Sequence, residues 1–145
     1  MGEARAVVDR FYAAYNSGYS GDALPQFDQD VTTVDPAAGE MHGIDAFAGY
    51  LAGFNRGFPD AKLNLGRAVE SGELVAIEGT YTGTNTGPLA SPQGKIPATG
   101  RAIVLPYMEV YEVRGGRIVS HNIYYDQMAF LGQLGLLPPP AAAGG

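Results

Sequence analysis

Apolar residues near the N-terminus recur at the spacing of an α-helix. They are Ala4, Val7, Val8, Phe11 and Tyr15. This pattern predicts a first helix that ends at residues 16–18, with Tyr12 on the flank of its apolar face. Leu24 and Phe27 predict a short second helix, which is capped by residues 20–22.

A third helix is predicted after residue 43. Its apolar stripe consists of Ile44, Phe47, Leu51 and Phe54. Gly57 and Pro59 end it. Residues 31–35 predict a short strand between the second and third helices.

The period of the pattern changes to two after the third helix. Residues 61–87 alternate in two runs around a turn at residues 71–72, which is typical of a β-hairpin. Residues 100–126 predict two more strands around residues 114–117, and residues 127–135 predict a short helix or helical turn. Three helices followed by a meander of strands predict an α+β domain.

Length and composition limit the kinds of protein that this chain can be. Its 145 residues suit one domain over residues 1–137, followed by a low-complexity tail at residues 138–145 that we expect to be disordered. The net charge is −6 and the nine basic residues are scattered, which argues against a nucleic-acid partner. The absence of cysteine excludes disulfides and thiolate chemistry. With no apolar run of roughly 18 residues and no signal-peptide pattern, the sequence predicts a cytoplasmic protein without membrane spans.

The last predicted strand ends in a carboxylate with no basic neighbour. Alternate residues of a strand point to opposite faces of the sheet. One face therefore carries Asn122, Tyr124 and Asp126, and the other face carries His121, Ile123 and Tyr125. If the first face packs against the helices, Asp126 lies in an apolar space, where it can act as a general acid or base. The alternative is that Asp126 only caps the segment that begins at Gln127. The same parity predicts that His121 is a surface or interface residue.

Other residues are weaker candidates for chemistry. His42 and His121 lack metal-ligand spacing, so no metal site is predicted. Asn85 lies in a run of alternating threonines that can line a cavity or face solvent. Nine tyrosines without a tryptophan suit an aromatic ligand.

Several short motifs together resemble one family. They include "FYAAYNSG", "HGIDAF", "FPD", "GTNTGPL", "IPATGR", "RGGRIVSHNIYYD" and "QLG". Their order and spacing over residues 4–137 resemble those of SnoaL-like polyketide cyclases, which belong to the nuclear-transport-factor-2-like superfamily. The resemblance implies a cone-shaped barrel, in which a strongly curved antiparallel or mixed sheet carries about three N-terminal helices on its concave face.

The resemblance also implies an activity. SnoaL-like cyclases close a ring of a polyketide by intramolecular aldol condensation without a metal or cofactor, and their acid/base matches Asp126. A small hydrophobic or aromatic substrate is implied, together with pairing into homodimers or homotetramers. The predicted substrate contacts are Tyr12, Tyr15, Asn85, Asn122 and Tyr124, with Glu109, His42 and Asp35 as further candidates.

The chain departs from the family at two positions, which keeps alternatives open. Asn85 stands where relatives have histidine in "GTHTG", and Glu109 lies near where they have a histidine on the penultimate strand. If Glu109 shares the cavity with Asp126, the two acids resemble those of limonene-type epoxide hydrolases, with Arg101 as the available arginine. A third hypothesis is a protein that binds a small hydrophobic ligand without turnover.

Overall fold

The helices occur where the apolar periodicity places them. In this computed structural model, which describes residues 2–18, 20–91 and 94–137, α1 spans Glu3–Asn16 and α2 spans Ile44–Gly57. Between them lies a 3₁₀ helix, Ser20–Gln26, with Pro25 inside it. A short α3, Gln127–Gln133, follows the last strand. The tail at residues 138–145 lies outside the described residues.

Six of the strands form one sheet. They are β1 (Phe27–Asp35), β2 (Gly39–His42), β3 (Lys62–Ser71), β4 (Leu74–Thr84), β7 (Ala102–Arg114) and β8 (Arg117–Tyr125). Their order is β2-β1-β8-β7-β4-β3, and every neighbouring pair is antiparallel except β1 and β8, which run parallel. The mixed sheet and three helices confirm the predicted α+β class.

Three features of the strands differ from the prediction. The first strand begins at Phe27, because this side chain is buried at the start of β1 and does not belong to the preceding helix. The segment before α2 is the strand β2, which pairs with β1 through a turn after Asp35. Strands β5 (Leu89–Ser91) and β6 (Gly94–Ile96) form a separate pair. Three residues each are too few to give a readable alternation.

The core lies between the helices and one face of the sheet. Every second residue of β7 from Ile103 to Val113 is buried, as the period of two requires. Helix α1 covers this inner face with Val7, Val8 and Phe11, all of which are fully or almost fully buried. Within the described residues, no helix is long and apolar enough to cross a bilayer.

Helix α3 is fixed to the sheet where β8 has ended. The side-chain amide of Gln133 accepts from the backbone N–H of Val104 at 2.7 Å and donates to its carbonyl at 3.0 Å. Gln133 therefore supplies the two hydrogen bonds that a neighbouring strand would otherwise give to β7.

Candidate functional site

An aromatic cavity lies between the two long helices and the inner face of the sheet. Its volume is about 80 Å³, and its walls include Phe11, Tyr15, Phe47, Tyr50, Tyr107 and Tyr125. Glu109 and His121 also line it, and no lysine or arginine does so within the described part of the chain. The cavity is therefore apolar, with one carboxyl group and one imidazole at its wall.

Glu109 and His121 form a buried pair across β7 and β8. The Nε2 of His121 contacts Oε2 of Glu109, and the residues are 2% and 5% exposed, respectively. Because an ionised carboxylate only accepts hydrogen bonds, Nε2 carries the proton when Glu109 is charged. A buried charge is tolerated only when it is paired and hydrogen-bonded. His121 therefore supplies part of the compensation for Glu109.

The imidazole of His121 is held by rings on several sides. Tyr111, its partner in strand register, stacks on it with centroids 4.4 Å apart and planes at 12°. Phe11 and Phe47 meet it edge-on. The Nδ1 atom of His121 and the hydroxyl of Thr33, its register partner in β1, are buried without a hydrogen-bond partner among the described residues. Glu109 is thus the group that fixes which imidazole nitrogen carries the proton.

A chain of hydroxyls leads from Glu109 to another part of the cavity wall. Tyr12 donates its hydroxyl proton to Oε1 of Glu109 at 2.6 Å, and the Tyr12 and Tyr107 oxygens are 2.8 Å apart. Since Tyr12 has a single proton and gives it to Glu109, Tyr107 must be the donor to Tyr12. When Glu109 is ionised, the Tyr107 oxygen therefore presents lone pairs to the cavity.

Burial keeps these phenols protonated. Desolvation raises the pKa of Tyr12 far above its ordinary value of 10.0, and the Glu109 charge adds to the rise. Desolvation, followed by the Glu109 charge, also raises the pKa of Tyr107 and of Tyr111. A phenolate beside a buried carboxylate is doubly disfavoured. These three tyrosines are therefore neutral across the physiological range, and Tyr12 and Tyr107 act as hydrogen-bond donors.

The absence of a side chain at Gly79 leaves room for Tyr107. The two residues are register partners on β4 and β7. A Cβ atom at Gly79 would lie 2.6 Å from the Tyr107 hydroxyl oxygen and 2.7 Å from the backbone oxygen of Asn64. A larger residue would displace the hydroxyl that ends the chain from Glu109.

A second buried carboxylate, Asp35, holds two other tyrosines of the cavity wall. Tyr50 donates to its Oδ2 at 2.6 Å, and Tyr125 approaches its Oδ1 at 3.5 Å. The backbone N–H groups of Ala37 and Ala38 also donate to Oδ1, at 2.7 and 2.8 Å. Asp35 therefore ties α2 and the end of β8 to the β1–β2 turn.

The predicted orientation of the last strand is wrong. His121 and Ile123 are buried on the inner face, whereas Tyr124 is 53% exposed and Asn122 alternates with the buried pair on the outer side. His121 is accordingly not a surface residue. The strand register decides the face, because Tyr111 and His121 are direct partners and Tyr111 is fully buried.

Asp126 follows β8 and is exposed. Its Oδ1 accepts from the backbone N–H groups of Met128 at 2.9 Å and Ala129 at 3.2 Å, which makes it the N-cap of α3. It does not line the aromatic cavity, so it does not share that space with Glu109. The alternation of inward and outward side chains does not extend to Asp126, because the strand ends at Tyr125. The structure thus matches the capping alternative, and the catalytic role of Asp126 stays an untested hypothesis.

The remaining predicted contacts divide into two groups. Tyr15 and Glu109 line the cavity, and Tyr12 contacts Glu109. Asn85 is fully buried, but its amide donates to the carbonyls of Gly57 and Gly87 and accepts from Thr99, so its hydrogen bonds hold a loop. It is not placed to stabilise an oxyanion in the cavity.

Two charged candidates lie at the surface. His42 is exposed on β2, where its Nε2 lies 3.5 Å from a carboxylate oxygen of Glu40. Arg101 is exposed beside Gly135, so it does not bridge two acids in the cavity. The arrangement of two acids around an arginine, expected for an epoxide hydrolase, is therefore not assembled here.

Sequence reasoning missed His121, Tyr107 and Tyr125 as cavity residues, although one signal pointed to His121 and Tyr125 on β8. The face of β8 that carries His121, Ile123 and Tyr125 is more apolar than the face that carries Asn122, which favours the former as the inner face. No group of three or more metal-binding side chains occurs among the residues that the structure describes.

Comparisons with known proteins agree with this architecture. A SnoaL-like polyketide cyclase candidate from Jannaschia sp. CCS1 is 17% identical, with a TM-score of 0.82 over 94% of each chain. A polyketide cyclase candidate from Pseudomonas putida KT2440 is 26% identical over 90% of this chain and 96% of that one, with a TM-score of 0.73. A protein with a ketosteroid isomerase-like fold from Catenulispora acidiphila, in complex with trimethylamine, is 26% identical over 90% and 93%, with a TM-score of 0.74.

Sequence comparisons identify the family. No curated protein sequence gives a significant match. The model of the SnoaL-like domain, in contrast, matches residues 8–121, well over half of the chain, from within α1 to within β8. The match ends at His121, within β8 and beside Glu109 in the cavity. The chain therefore belongs to the SnoaL-like domain family.

Proposed function

We propose that this protein is a cofactor-independent cyclase that closes a ring of a small aromatic, polyketide-like molecule by intramolecular aldol condensation. Glu109, supported by His121, is the acid/base. The observation that carries the proposal is a buried carboxylate in an aromatic cavity, paired with an imidazole and joined to a hydroxyl chain. The candidate polyketide cyclase of Pseudomonas putida, at 26% identity, supports this reaction class.

The first step is removal of a proton from an activated carbon. Glu109 takes the proton from a carbon next to a carbonyl, and the electron pair of the C–H bond becomes the enolate. The enolate carbon then attacks a second carbonyl of the same molecule, which forms the ring bond and leaves an alkoxide. A positioned carboxylate contributes typically about 10²- to 10⁴-fold to such proton transfer.

The hydroxyl chain returns the proton in the second step. Glu109 passes it to Tyr12 while Tyr12 passes its own proton to Tyr107, and Tyr107 protonates the alkoxide. Each phenol loses one proton as it gains another, so no phenolate forms, consistent with the raised pKa of both tyrosines. The carboxylate regains its initial state without an external acid.

His121 holds the carboxylate of Glu109 by a hydrogen bond. Its Nε2–H donates to the carboxylate opposite the Tyr12 hydroxyl, and its ring is fixed by stacking on Tyr111. The imidazole therefore positions the carboxylate and stabilises it by a hydrogen bond inside the core. The aromatic walls enclose the reacting end of the substrate and hold its reacting carbons close together.

Two variants with the same kind of change test this assignment. Glu109→Gln keeps the size of the side chain and removes the base, whereas Asp126→Asn does the same at the exposed cap. Turnover is measured on an aromatic β-dicarbonyl substrate by mass spectrometry, with deuterium exchange of its acidic carbon followed by NMR. We expect Glu109→Gln to lose both signals by about 10²- to 10⁴-fold and Asp126→Asn to keep them.

If Asp126→Asn loses both signals and Glu109→Gln keeps them, the acid/base is Asp126. Binding without turnover in the wild type would instead support the ligand-binding hypothesis. Incorporation of ¹⁸O from water into the product of an epoxide substrate would support the hydrolase hypothesis. The hydrolase hypothesis has no specific arrangement in its favour, because Glu109 is the one carboxylate at the cavity wall and no arginine lines the cavity in the described region.

We also propose that the protein forms a homodimer through the outer face of the sheet. Val104 and Met108 on β7 and Tyr124 on β8 are 60%, 43% and 53% exposed on that face. Met108 and Tyr124 are direct register partners, so their side chains form one apolar surface. Large apolar side chains in such a group mark an interaction surface.

A further inference from the structure

The aromatic cavity is too small for a substrate with several rings. Its volume is about 80 Å³, whereas a cavity of about 150 Å³ holds one benzene molecule. A polyketide-like substrate therefore extends beyond the space beside Glu109. An adjoining space should share part of the cavity wall.

A groove beside the cavity meets this requirement. It lies between the C-terminal end of α1, helix α2 and the segment that leads into β3, and its volume is about 490 Å³. This volume is in the usual range for small-molecule sites, about 300–1,000 Å³. Tyr15 and Leu51 line both the cavity and the groove. We name this space the α1–α2 groove.

The floor of the α1–α2 groove is apolar. Leu24, Ala48, Leu51 and Ala52 contribute to it, and the alanines leave the width that larger side chains would fill. Tyr15 stands at the wall with its hydroxyl 3.4 Å from Oδ1 of Asn55, to which it donates. A flat aromatic ring system fits a floor of this kind.

Two basic residues line the same groove. Arg56 is exposed in the last turn of α2, and Lys62 begins β3, where its Nζ donates to the carbonyl of Asn16 at 2.7 Å. Arg5, Arg67 and Arg114 are each paired with a carboxylate, but Arg56 and Lys62 have no acidic partner among the described residues. Asp60 also lines the groove, where its Oδ1 accepts from the backbone N–H of Thr84, so two basic groups stand against one acidic group among the lining residues.

Arg56 and Lys62 favour an anionic ligand in the α1–α2 groove. The protein as a whole has a net charge of −6, so it does not attract anions in general. We infer that the α1–α2 groove binds the carboxylate-bearing part of an aromatic acid, with its rings on the alanine floor and its carboxylate near Arg56 and Lys62. This inference rests on the proposed function in taking that acid to be the cyclase substrate, whose reacting end enters the aromatic cavity past Tyr15 and Leu51.

Binding of 2-naphthoate and of neutral 2-naphthamide tests the inference without turnover. The chain has no tryptophan, so the naphthalene fluorescence reports binding without interference from that residue. We expect naphthoate to bind about three- to tenfold more tightly than naphthamide, the range for two exposed charge pairs. The double variant Arg56→Gln, Lys62→Gln should remove this preference. The matched double variant Lys95→Gln, Arg117→Gln makes the same change of charge at exposed residues outside the groove and should keep it.

A second pair of variants tests the place of binding. Ala52 is exposed on the groove floor, and Ala52→Trp should weaken both ligands at least about tenfold while leaving the melting temperature unchanged. Because these variants add a tryptophan, their affinities are measured by isothermal titration calorimetry. Ala46→Trp, at an exposed α2 position outside the groove, should change neither affinity. Equal affinity for the two ligands, or an unaffected Ala52→Trp, would overturn the inference. We expect Glu109→Gln to lose turnover and to keep its binding of naphthoate. If the wild-type protein binds naphthoate but shows no turnover, the proposed function fails and the groove remains a binding site.

Discussion

The imidazole of His121 contacts the carboxylate of Glu109 from the neighbouring strand, and both side chains are almost completely buried. Twelve positions separate the two residues in the sequence. They meet because β7 and β8 form a hairpin whose register sets Glu109 opposite Ile123 and Tyr111 opposite His121. The centre of the candidate site is therefore a product of strand pairing.

The cap of α3 gives the first prediction. Replacing Asp126 with Ala removes the oxygen that accepts from Met128 and Ala129. We expect a loss of about 0.5–2 kcal/mol in the free energy of unfolding, measured in urea. Asp126→Asn keeps an accepting oxygen and should lose less. Equal losses in the two variants would show that the charge, and not the cap, stabilises this end of the chain.

Tyr12 joins Glu109 to Tyr107, so its hydroxyl should matter for stability. Tyr12→Phe leaves one oxygen of Glu109 and the Tyr107 hydroxyl without their partner. We expect the free energy of unfolding to fall by about 1–3 kcal/mol. Tyr124→Phe, on the exposed face, should stay within about 0.5 kcal/mol of the wild type. A wild-type value for Tyr12→Phe would argue against the hydroxyl chain.

Asp35 should contribute more to stability than an exposed aspartate. It is buried and accepts from two phenols and two backbone N–H groups. Asp35→Asn replaces an acceptor oxygen with an amide, and we expect a loss of about 1.5–3 kcal/mol in chemical denaturation. Asp30→Asn, on an exposed part of the same strand, serves as the control. A similar, small effect in both variants would contradict the role assigned to Asp35.

The tyrosines predict a loss of stability at alkaline pH. Desolvation raises the pKa of Tyr12, Tyr81, Tyr107 and Tyr125 above the ordinary tyrosine value of 10.0. Above pH 10 the unfolded chain therefore releases phenolic protons that the folded protein retains, so the free energy of unfolding falls as pH rises. Below pH 10 this contribution is complete. Melting temperatures between pH 8 and 11.5 test this, and tyrosinate absorbance should rise together with unfolding. Titration of these phenols near pH 10 in the folded state would refute it.

The proposed dimer predicts a change in mass on substitution of one outer residue. Met108→Glu puts a charge in the middle of the apolar outer surface, and we expect the sedimentation coefficient to fall to that of a monomer. Met128→Glu changes an equally apolar residue that is 68% exposed on α3 and should leave the assembly unchanged. A wild-type monomer, or a dimer in Met108→Glu, would exclude this interface.

Local sequence determined most of the fold. The helical spacing of Val7, Phe11 and Tyr15 and the alternation of β7 are properties of neighbouring residues, and both elements occur where predicted. They are long enough for the pattern to repeat several times. Strands β5 and β6, with three residues each, are too short for this, and only their mutual pairing defines them.

The orientation of β8 could not be fixed in the same way. Alternation separates His121 from Asn122, but it assigns neither set to the inside, because a shift of one residue exchanges the two faces. The strand also ends before Asp126, so parity no longer applies to the acid. The sequence predicted Glu109 as a residue of the cavity but not its pairing with His121.

The sequence by itself determined the α+β class, the main elements and the set of residues from which a site can be built. Only the tertiary structure decided which acid meets a base in an apolar space. Helix and strand periods arise from contacts between near neighbours, whereas burial of Glu109 and His121 depends on strands and helices that are distant in the chain. The parallel pairing of β1 with β8, which sets Thr33 beside His121, is likewise a long-range property that no local pattern encodes.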